Sequence, residues 1–264
     1  AWQRQVDSLR MDAFYRVVAA IEAPRTSLYR FRSPQVKDAD DVAALPPYLG
    51  TLQNPHQVHD HPAIVALEEE YGRSAVRLWV LILSNPGVLY VTNPFTLSAF
   101  LEGMSSDWLG TTGLVRAWHA DPMAFDVPVR KIASRIASEG SQQRLRHLAG
   151  SDTPLPFLEC VPAVGVLCSR DDHLVRPALE RIWAKIPRES VHHVPTHSVG
   201  EEAVETVPYW RGEAVSFLPL APGTLYEFLP FDAEGPVQIV EATALEVGHL
   251  YTMVVSDTRG LCRL

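Results

Sequence analysis

The stretch Pro195-Thr196-His197-Ser198-Val199-Gly200-Glu201-Glu202 gathers hydroxyls, an imidazole and two carboxylates within one turn. It follows a strand-like run, Val191–Val194. Loops at the carboxyl ends of strands are where α/β sheets place their ligands. A carboxylate there can hold Mg2+ against phosphates, and a flat ring can stack on a base. The competing reading is a polar surface turn. A second cluster, His56-Gln57-Val58-His59-Asp60-His61, comes close to a His-x-His-x-Asp-His metal-hydrolase signature. Val58 stands where the second His would be needed, and a slip of one residue turns an extended side chain to the opposite side. A third group is His192-His193 with His197. In a strand, His193 and His197 would share a face and His192 would point away. Cys168 with His173, five residues on, is a conceivable thiol–imidazole pair, although strand-end cysteines are usually core.

Several common catalytic signatures are absent. There is no Gly-x-Ser-x-Gly elbow, no Gly-x-x-x-x-Gly-Lys-Ser/Thr loop and no Gly-x-Gly-x-x-Gly. The nearest approach to a Ser/Thr/Gly-rich phosphate loop is Gly110-Thr111-Thr112-Gly113, which has no Lys beside it.

The elements that must position these residues are legible as periodicities. Apolar residues recur at helical spacing over 6–22 and again from Pro62 to Ile82, closed by Asn85-Pro86-Gly87. Residues 24–62 read as irregular. Gly87–Asn93 reads as a buried strand, and Asn93-Pro94 as the start of a helix running to Trp108. Helical patterns follow at 124–138 and 141–149, then a strand at Ala163–Cys168 and a helix from Ser169 to Ile186 with Asp171 and Asp172 at its positive end. Beyond residue 190 the pattern changes to consecutive strands at Val191–Val194, Ala214–Leu218, Thr224–Leu229, Val237–Glu241 and Leu250–Val255. This predicts an α/β sheet that continues into an antiparallel portion, with the last three strands paired.

Composition narrows the class. Of 264 residues, 47% are hydrophobic and 20% charged, a balance that suits a globular core. The net charge is −8 without a basic run, so nucleic acid is not an expected partner. The most apolar stretch, Leu78–Leu83, is far too short to span a bilayer, so no membrane association is expected. Three cysteines without close pairing suit a reducing, cytoplasmic setting.

Three segments in order resemble the auxin-responsive (Gretchen Hagen) family of acyl-acid amido synthetases. The first is Leu89-Tyr90-Val91-Thr92-Asn93-Pro94-Phe95-Thr96-Leu97, with Phe100-Leu101 and Trp108 after it. The second runs from Val194-Pro195-Thr196-His197 through Glu201 to Leu218-Pro219-Leu220-Ala221-Pro222-Gly223 and Leu225-Tyr226-Glu227-Phe228-Leu229-Pro230. The third is Leu245-Glu246-Val247-Gly248-His249-Leu250-Tyr251, then Val254-Val255-Ser256 and Gly260-Leu261-Cys262-Arg263-Leu264. The resemblance implies an acyl-adenylating α/β large domain, a mixed sheet with helices and an antiparallel C-terminal portion. Residues 1–264 would be its central and C-terminal part, both ends being read as cuts. The ATP-loop region and a C-terminal lid domain would lie outside them.

It also implies a two-step reaction. A carboxylic acid and ATP give an acyl-adenylate and pyrophosphate, and an amine or amino acid then attacks to form the amide. By position, His197 stands where the family has the ring that stacks on adenine, and Gly200 stands where it has a Ser. Glu201 stands where it has the carboxylate that serves Mg2+, and Arg263 matches the first Arg of an Arg-Tyr-Arg run. The resemblance thus assigns Glu201 as catalytic and metal-binding, and Thr196, His197, Gly200 and Arg263 as nucleotide-binding. It departs from the family at His197, Gly200, Cys262 and Leu264. A non-catalytic binding relative and a hydrolase using His56, His59 and His61 are the alternatives.

Overall fold

The computed structural model describes residues 27–31, 55–91, 93–171, 173–196, 198–199, 204–211, 214–219, 225–231, 239–257 and 260–263. The predicted helix at 6–22 lies outside them. The chain divides into two compact units, Val17–Pro195 and a second that contains Thr196–Leu264.

The first unit is built on a four-stranded sheet: β1 (Leu28–Phe31), β2 (Val88–Val91), β3 (Val166–Arg170) and β4 (His192–Thr196), in that spatial order. β1 pairs β2, and β2 pairs β3, in parallel. The register aligns Tyr29 with Leu89 and Leu167, and Phe31 with Val91. These five side chains join one hydrophobic core with the helices. The predicted Pro62–Ile82 helix is two helices, α1 (Pro62–Tyr71) and α2 (Arg73–Ser84). They meet at Gly72, whose φ of 84° is a conformation that disfavours side chains. Its N–H closes α1 on the Glu68 carbonyl, and its carbonyl accepts from Val76 N–H.

α2 is the centre of the unit. From Ala75 to Ser84 every residue is buried, so the stretch Leu78–Leu83 is a core helix apolar on all sides. Each of its large side chains contributes roughly 1.5–3 kcal/mol of burial. A helix end inside the core must have its carbonyls satisfied. Asn85, at φ 45°, turns the chain and donates to Leu81 O at 2.8 Å. The Ser138 N–H and hydroxyl donate to Leu83 O at 2.8 and 3.0 Å. The Arg144 guanidinium donates to Ile82 O at 2.9 Å, Leu83 O at 3.4 Å and Ser138 Oγ at 2.6 Å.

Around α2 lie α3 (Pro94–Ser106), α4 (Trp108–Ala120), α5 (Val127–Ile136), α6 (Ser141–Ala149), a single turn α7 (Phe157–Cys160) and α8 (Arg176–Trp183). Asn93 caps α3 as its sequence predicts, accepting from Phe95 N–H at 3.1 Å. Asp107 ends α3 and caps α4, so the expected run to Trp108 is two helices. Gly110-Thr111-Thr112-Gly113 lies inside α4 and is no phosphate loop. Thr111 and Thr112 are buried, and Thr112 donates to Trp108 O at 2.7 Å.

The second unit is antiparallel. A three-stranded sheet orders β5 (Ser198–Val199), β6 (Val204–Arg211) and β7 (Ala214–Pro219). A four-stranded sheet orders β11 (Gly260–Arg263), β10 (Tyr251–Asp257), β8 (Leu225–Pro230) and β9 (Val240–Glu241). The predicted antiparallel pairing is present: Thr252 faces Leu229, Val254 faces Glu227, and Phe228 faces Val240. These strands form sheets of their own instead of extending the parallel one. Most of these pairs join sequence neighbours, and β8 also pairs β10 across the intervening β9.

Arg144→Ala should lower the unfolding free energy by about 2–4 kcal/mol, because it strips a charged donor from buried carbonyls. The exposed Arg146→Ala should change it by no more than about 0.5 kcal/mol. Equilibrium denaturation of the two variants, read by circular dichroism, checks the contrast.

Candidate functional site

β3, β4 and their neighbours carry the described part of the site region. The predicted helix over Ser169–Ile186 starts only at Arg176, so Ser169 and Arg170 finish β3 and Asp171 stands in the segment beyond it. Pro177 in the first turn of α8 suits that later start. β4 runs beside β3, tied by His192 N–H to Gly165 O at 2.9 Å. His192 is exposed and its neighbour His193 turns inward, as alternation along a strand requires.

The result is a small polar array between the carboxyl end of β3 and the start of β4. His193 Nε2 lies 3.0 Å from Ser169 Oγ, and His193 Nδ1 lies 3.9 Å from Asp171 Oδ2. The Trp183 ring meets the imidazole edge-on at a centroid distance of 5.4 Å, and the Arg188 guanidinium lies 5.8 Å from the Trp183 ring centre. Burial lowers the His193 pKa; the Asp171 charge opposes this and Arg188 adds to it. Ser169 is fully buried and Asp171 lies beyond hydrogen-bond reach of Nδ1. The three therefore act as a link between strand ends and not as an exposed nucleophile with its base. Sequence reading did not find this array. Its only signal was the His192-His193 pair, whose partner lies 24 residues away.

Cys168 is inert in this setting. It is fully buried, and burial pushes its thiol well above the ordinary range, which removes the Cys168/His173 pair as a thiolate site.

His59 and His61 of the 56–61 cluster serve the fold. Pro55–Asp60 is a 3-10 segment. His59 Nε2 lies 2.8 Å from the Tyr29 hydroxyl, and His59 Nδ1 lies 2.8 Å from Glu68 Oε1. A neutral ring satisfies both, with Nδ1–H donating to the carboxylate and Nε2 accepting from the phenol. His61 Nδ1 instead accepts from Ala63 N–H at 3.1 Å and caps α1. The two rings are thus committed to different partners. The side chain of His56 lies outside what is described. Among the described residues no three His, Cys, Asp or Glu stand together to hold a metal ion.

Of the residues assigned by resemblance, Thr196 ends β4 and Arg263 ends β11. His197, Gly200 and Glu201 lie outside the described residues, as does Glu202. Among the described residues no helix is long and apolar enough to cross a membrane.

The family model described as the GH3 family central domain matches residues 217–264. That span holds the Leu225–Pro230 and Gly248–Arg263 segments of the resemblance. Two solved structures are similar over 98% of this chain at 14% identity: a GH3.15 acyl acid amido synthetase, TM-score 0.58, and AtGH3.15 acyl acid amido synthetase in complex with 2,4-DB, TM-score 0.61. The chain spans about half of their lengths, 49% and 48%. No curated protein matches it by sequence. The likeness shows an α/β fold shared with those two structures, and the family-model match supports the resemblance to the GH3 (Gretchen Hagen) family over residues 217–264.

Burial lowers the His59 pKa below 6.5, although Glu68 opposes it. The unfolded chain therefore takes up this proton first, and stability falls as the pH drops below about 6.5. Burial alone would raise Glu68, but the His59 hydrogen bond and the His59, Arg73 and Arg77 charges hold it below 4.5. Its contribution is present above 4.5 and is lost as the pH falls through its lower folded value. Unfolding free energy measured from pH 7 to 5 should decline, with a slope in His59→Gln reduced by up to about 1.4 kcal/mol per pH unit. An unchanged slope would remove His59 from the account.

Proposed function

We propose that this chain is the nucleotide- and acid-handling part of an ATP-dependent acyl-acid amido synthetase-like protein. The observation that carries the reading is the match of the GH3 family central domain over residues 217–264, downstream of the Thr196–Glu202 turn. The overall likeness to two acyl acid amido synthetase structures supports it. One of those neighbours was solved with 2,4-DB, which makes a small carboxylic acid the first substrate class to try here. The acceptor would be an amine or amino acid.

In this reading a carboxylate oxygen attacks the α-phosphorus of ATP. Pyrophosphate leaves and an acyl-adenylate forms. The amine nitrogen then attacks the acyl carbon, and AMP leaves with the former carboxylate oxygen. The chain's part is to bind, orient and neutralise. His197 would stack on the base, Thr196 and Gly200 would line it, and Arg263 would face the phosphates or ribose. Glu201 would be the metal-binding carboxylate. The carboxylate oxygens of Glu201 and Glu202 suit Mg2+ better than a soft metal. When bound, Mg2+ would supply neutralisation of the phosphate charge. The large domain would continue across residues 1–264 into segments outside them, and the setting would be cytoplasmic.

The second reading is a non-catalytic binding relative, favoured by His197 and Gly200 at positions where the family has other residues.

Acid-dependent ATP–pyrophosphate exchange by the full-length protein separates the two. Glu201→Gln should cut exchange by on the order of 10²–10³-fold, as for loss of one electrostatic stabiliser, and Glu202→Gln by much less. A wild-type protein that exchanges with no acid of a broad panel and binds no ATP is the non-catalytic relative.

A further inference from the structure

We propose that the exposed side of α5 is a docking surface for an acidic protein segment that carries an apolar residue followed by two carboxylates. The surface lies wholly within the first unit and is independent of the acyl-adenylation reading.

The sequence of α5 divides it into two faces. Val129, Ala133 and Ile136 are buried, with Ile132 packed beside them, and they hold the helix against the core. Val127, Arg130, Lys131, Ser134 and Arg135 form the other side, at the i, i+3, i+4, i+7, i+8 spacing of one helix stripe. That stripe carries three cations and no carboxylate. Among the described residues Arg130, Lys131 and Arg135 form no ion pair, although the chain as a whole has a net charge of −8. An acidic partner is therefore the complement this face fits.

Arg130 gains most from such a partner. Its Nε is buried with no acceptor, and its Nη1 lies 3.0 Å from Met123 Sδ, a weak acceptor. A guanidinium presents its donors in a planar fork that matches one carboxylate. The apolar part of the surface stands at the N-terminal end of α5, where Met123 is 69% and Val127 50% exposed. Asp121 Oδ1 accepts from Met123 N–H at 2.9 Å and fixes the 3-10 turn Pro122–Ala124 that presents this side chain.

Spacing along the helix axis sets the pattern of the occupant. A rise of 1.5 Å per residue places Arg130 and Lys131 about 5–6 Å, and Arg135 about 12 Å, beyond Val127. Alternate side chains of an extended segment recur about every 6.6–6.8 Å. An apolar-x-acid-x-acid segment thus sets its apolar residue on Met123 and Val127, its first carboxylate between Arg130 and Lys131, and its second at Arg135. A narrow segment fits better than an anionic bilayer. The exposed Asp121, Asp126 and Glu139 bracket α5 in sequence, and a broad negative surface would meet them too. The apolar face of α5 is committed to the core and cannot enter lipid.

Fluorescence anisotropy of a dye-labelled peptide, acetyl-Leu-Ser-Glu-Ser-Glu, titrated with the full-length protein tests this. Binding should weaken as ionic strength rises from about 0.05 to 0.5 M. It should weaken about tenfold in the double variant Lys131→Glu, Arg135→Glu, whose exposed positions leave the circular dichroism spectrum unchanged. Replacing the Leu of the peptide by Ser should weaken binding to the wild type and make no further difference to Met123→Ser, because both changes remove one contact. Equal binding by the charge-reversed variant, or binding to the wild type that ignores the Leu, overturns the proposal. A wild type that leaves the peptide free also overturns it. If that protein sediments with phosphatidylserine vesicles, the surface is a membrane contact instead.

Discussion

The first unit depends on one constraint: from Ala75 to Ser84, α2 has no face in contact with water. A helix buried on every side cannot rely on solvent for its terminal carbonyls or tolerate a gap along its length. Both demands propagate outward. The carbonyl ends recruit Ser138 and Arg144 from the α5–α6 connection and from α6, and so fix where those helices can lie. The apolar flanks recruit Trp118 from α4, whose ring meets Trp79 at a centroid distance of 5.1 Å. The one buried cation on α2, Arg77, sits 4.9 Å from the Phe31 ring centre and 5.9 Å from that of Phe100, which joins β1 to α3. Cation–π contacts in a desolvated setting are among the stronger of their kind.

That core also determines what the polar clusters can do. Tyr29 comes from β1, His59 from the 3-10 segment and Glu68 from α1, and their hydrogen bonds fasten a short edge strand to the helices. Burial pushes the Tyr29 phenol up to about 12, so it remains a donor at every physiological pH. Ser169, near the end of β3, and His193, near the start of β4, join those two strands in the same way, with the exposed Asp171 carboxylate beside them.

The comparisons separate fold from chemistry. At 14% identity the likeness to acyl acid amido synthetases over 98% of the chain is a statement about packing. The sequence signal concentrates in residues 217–264, which include the β8, β10 and β11 strands. Hairpin strands carry dense local constraints, alternation and turn chemistry together, so they hold a recognisable pattern where helices packed around a core accept many apolar substitutes.

The sequence by itself determined the elements whose causes are local. Pro62, Asn93-Pro94 and Asn85 punctuate helices through backbone geometry, and the alternation at Leu225–Pro230 and Tyr251–Asp257 sets antiparallel strands. It also supplied the family resemblance over the segment that the family model matches. The four-residue β1 was hidden in a stretch read as irregular, and β6 was hidden by Pro208, a residue that usually interrupts strands. The break at Gly72 was masked by apolar spacing that runs through it. Only the tertiary structure decided which histidines are partners. His59 is 30 residues from Tyr29, and His193 is 24 from Ser169. Such pairs follow from sheet order and helix packing, whose free energy is spread over the whole core, so no local pattern of residues encodes them.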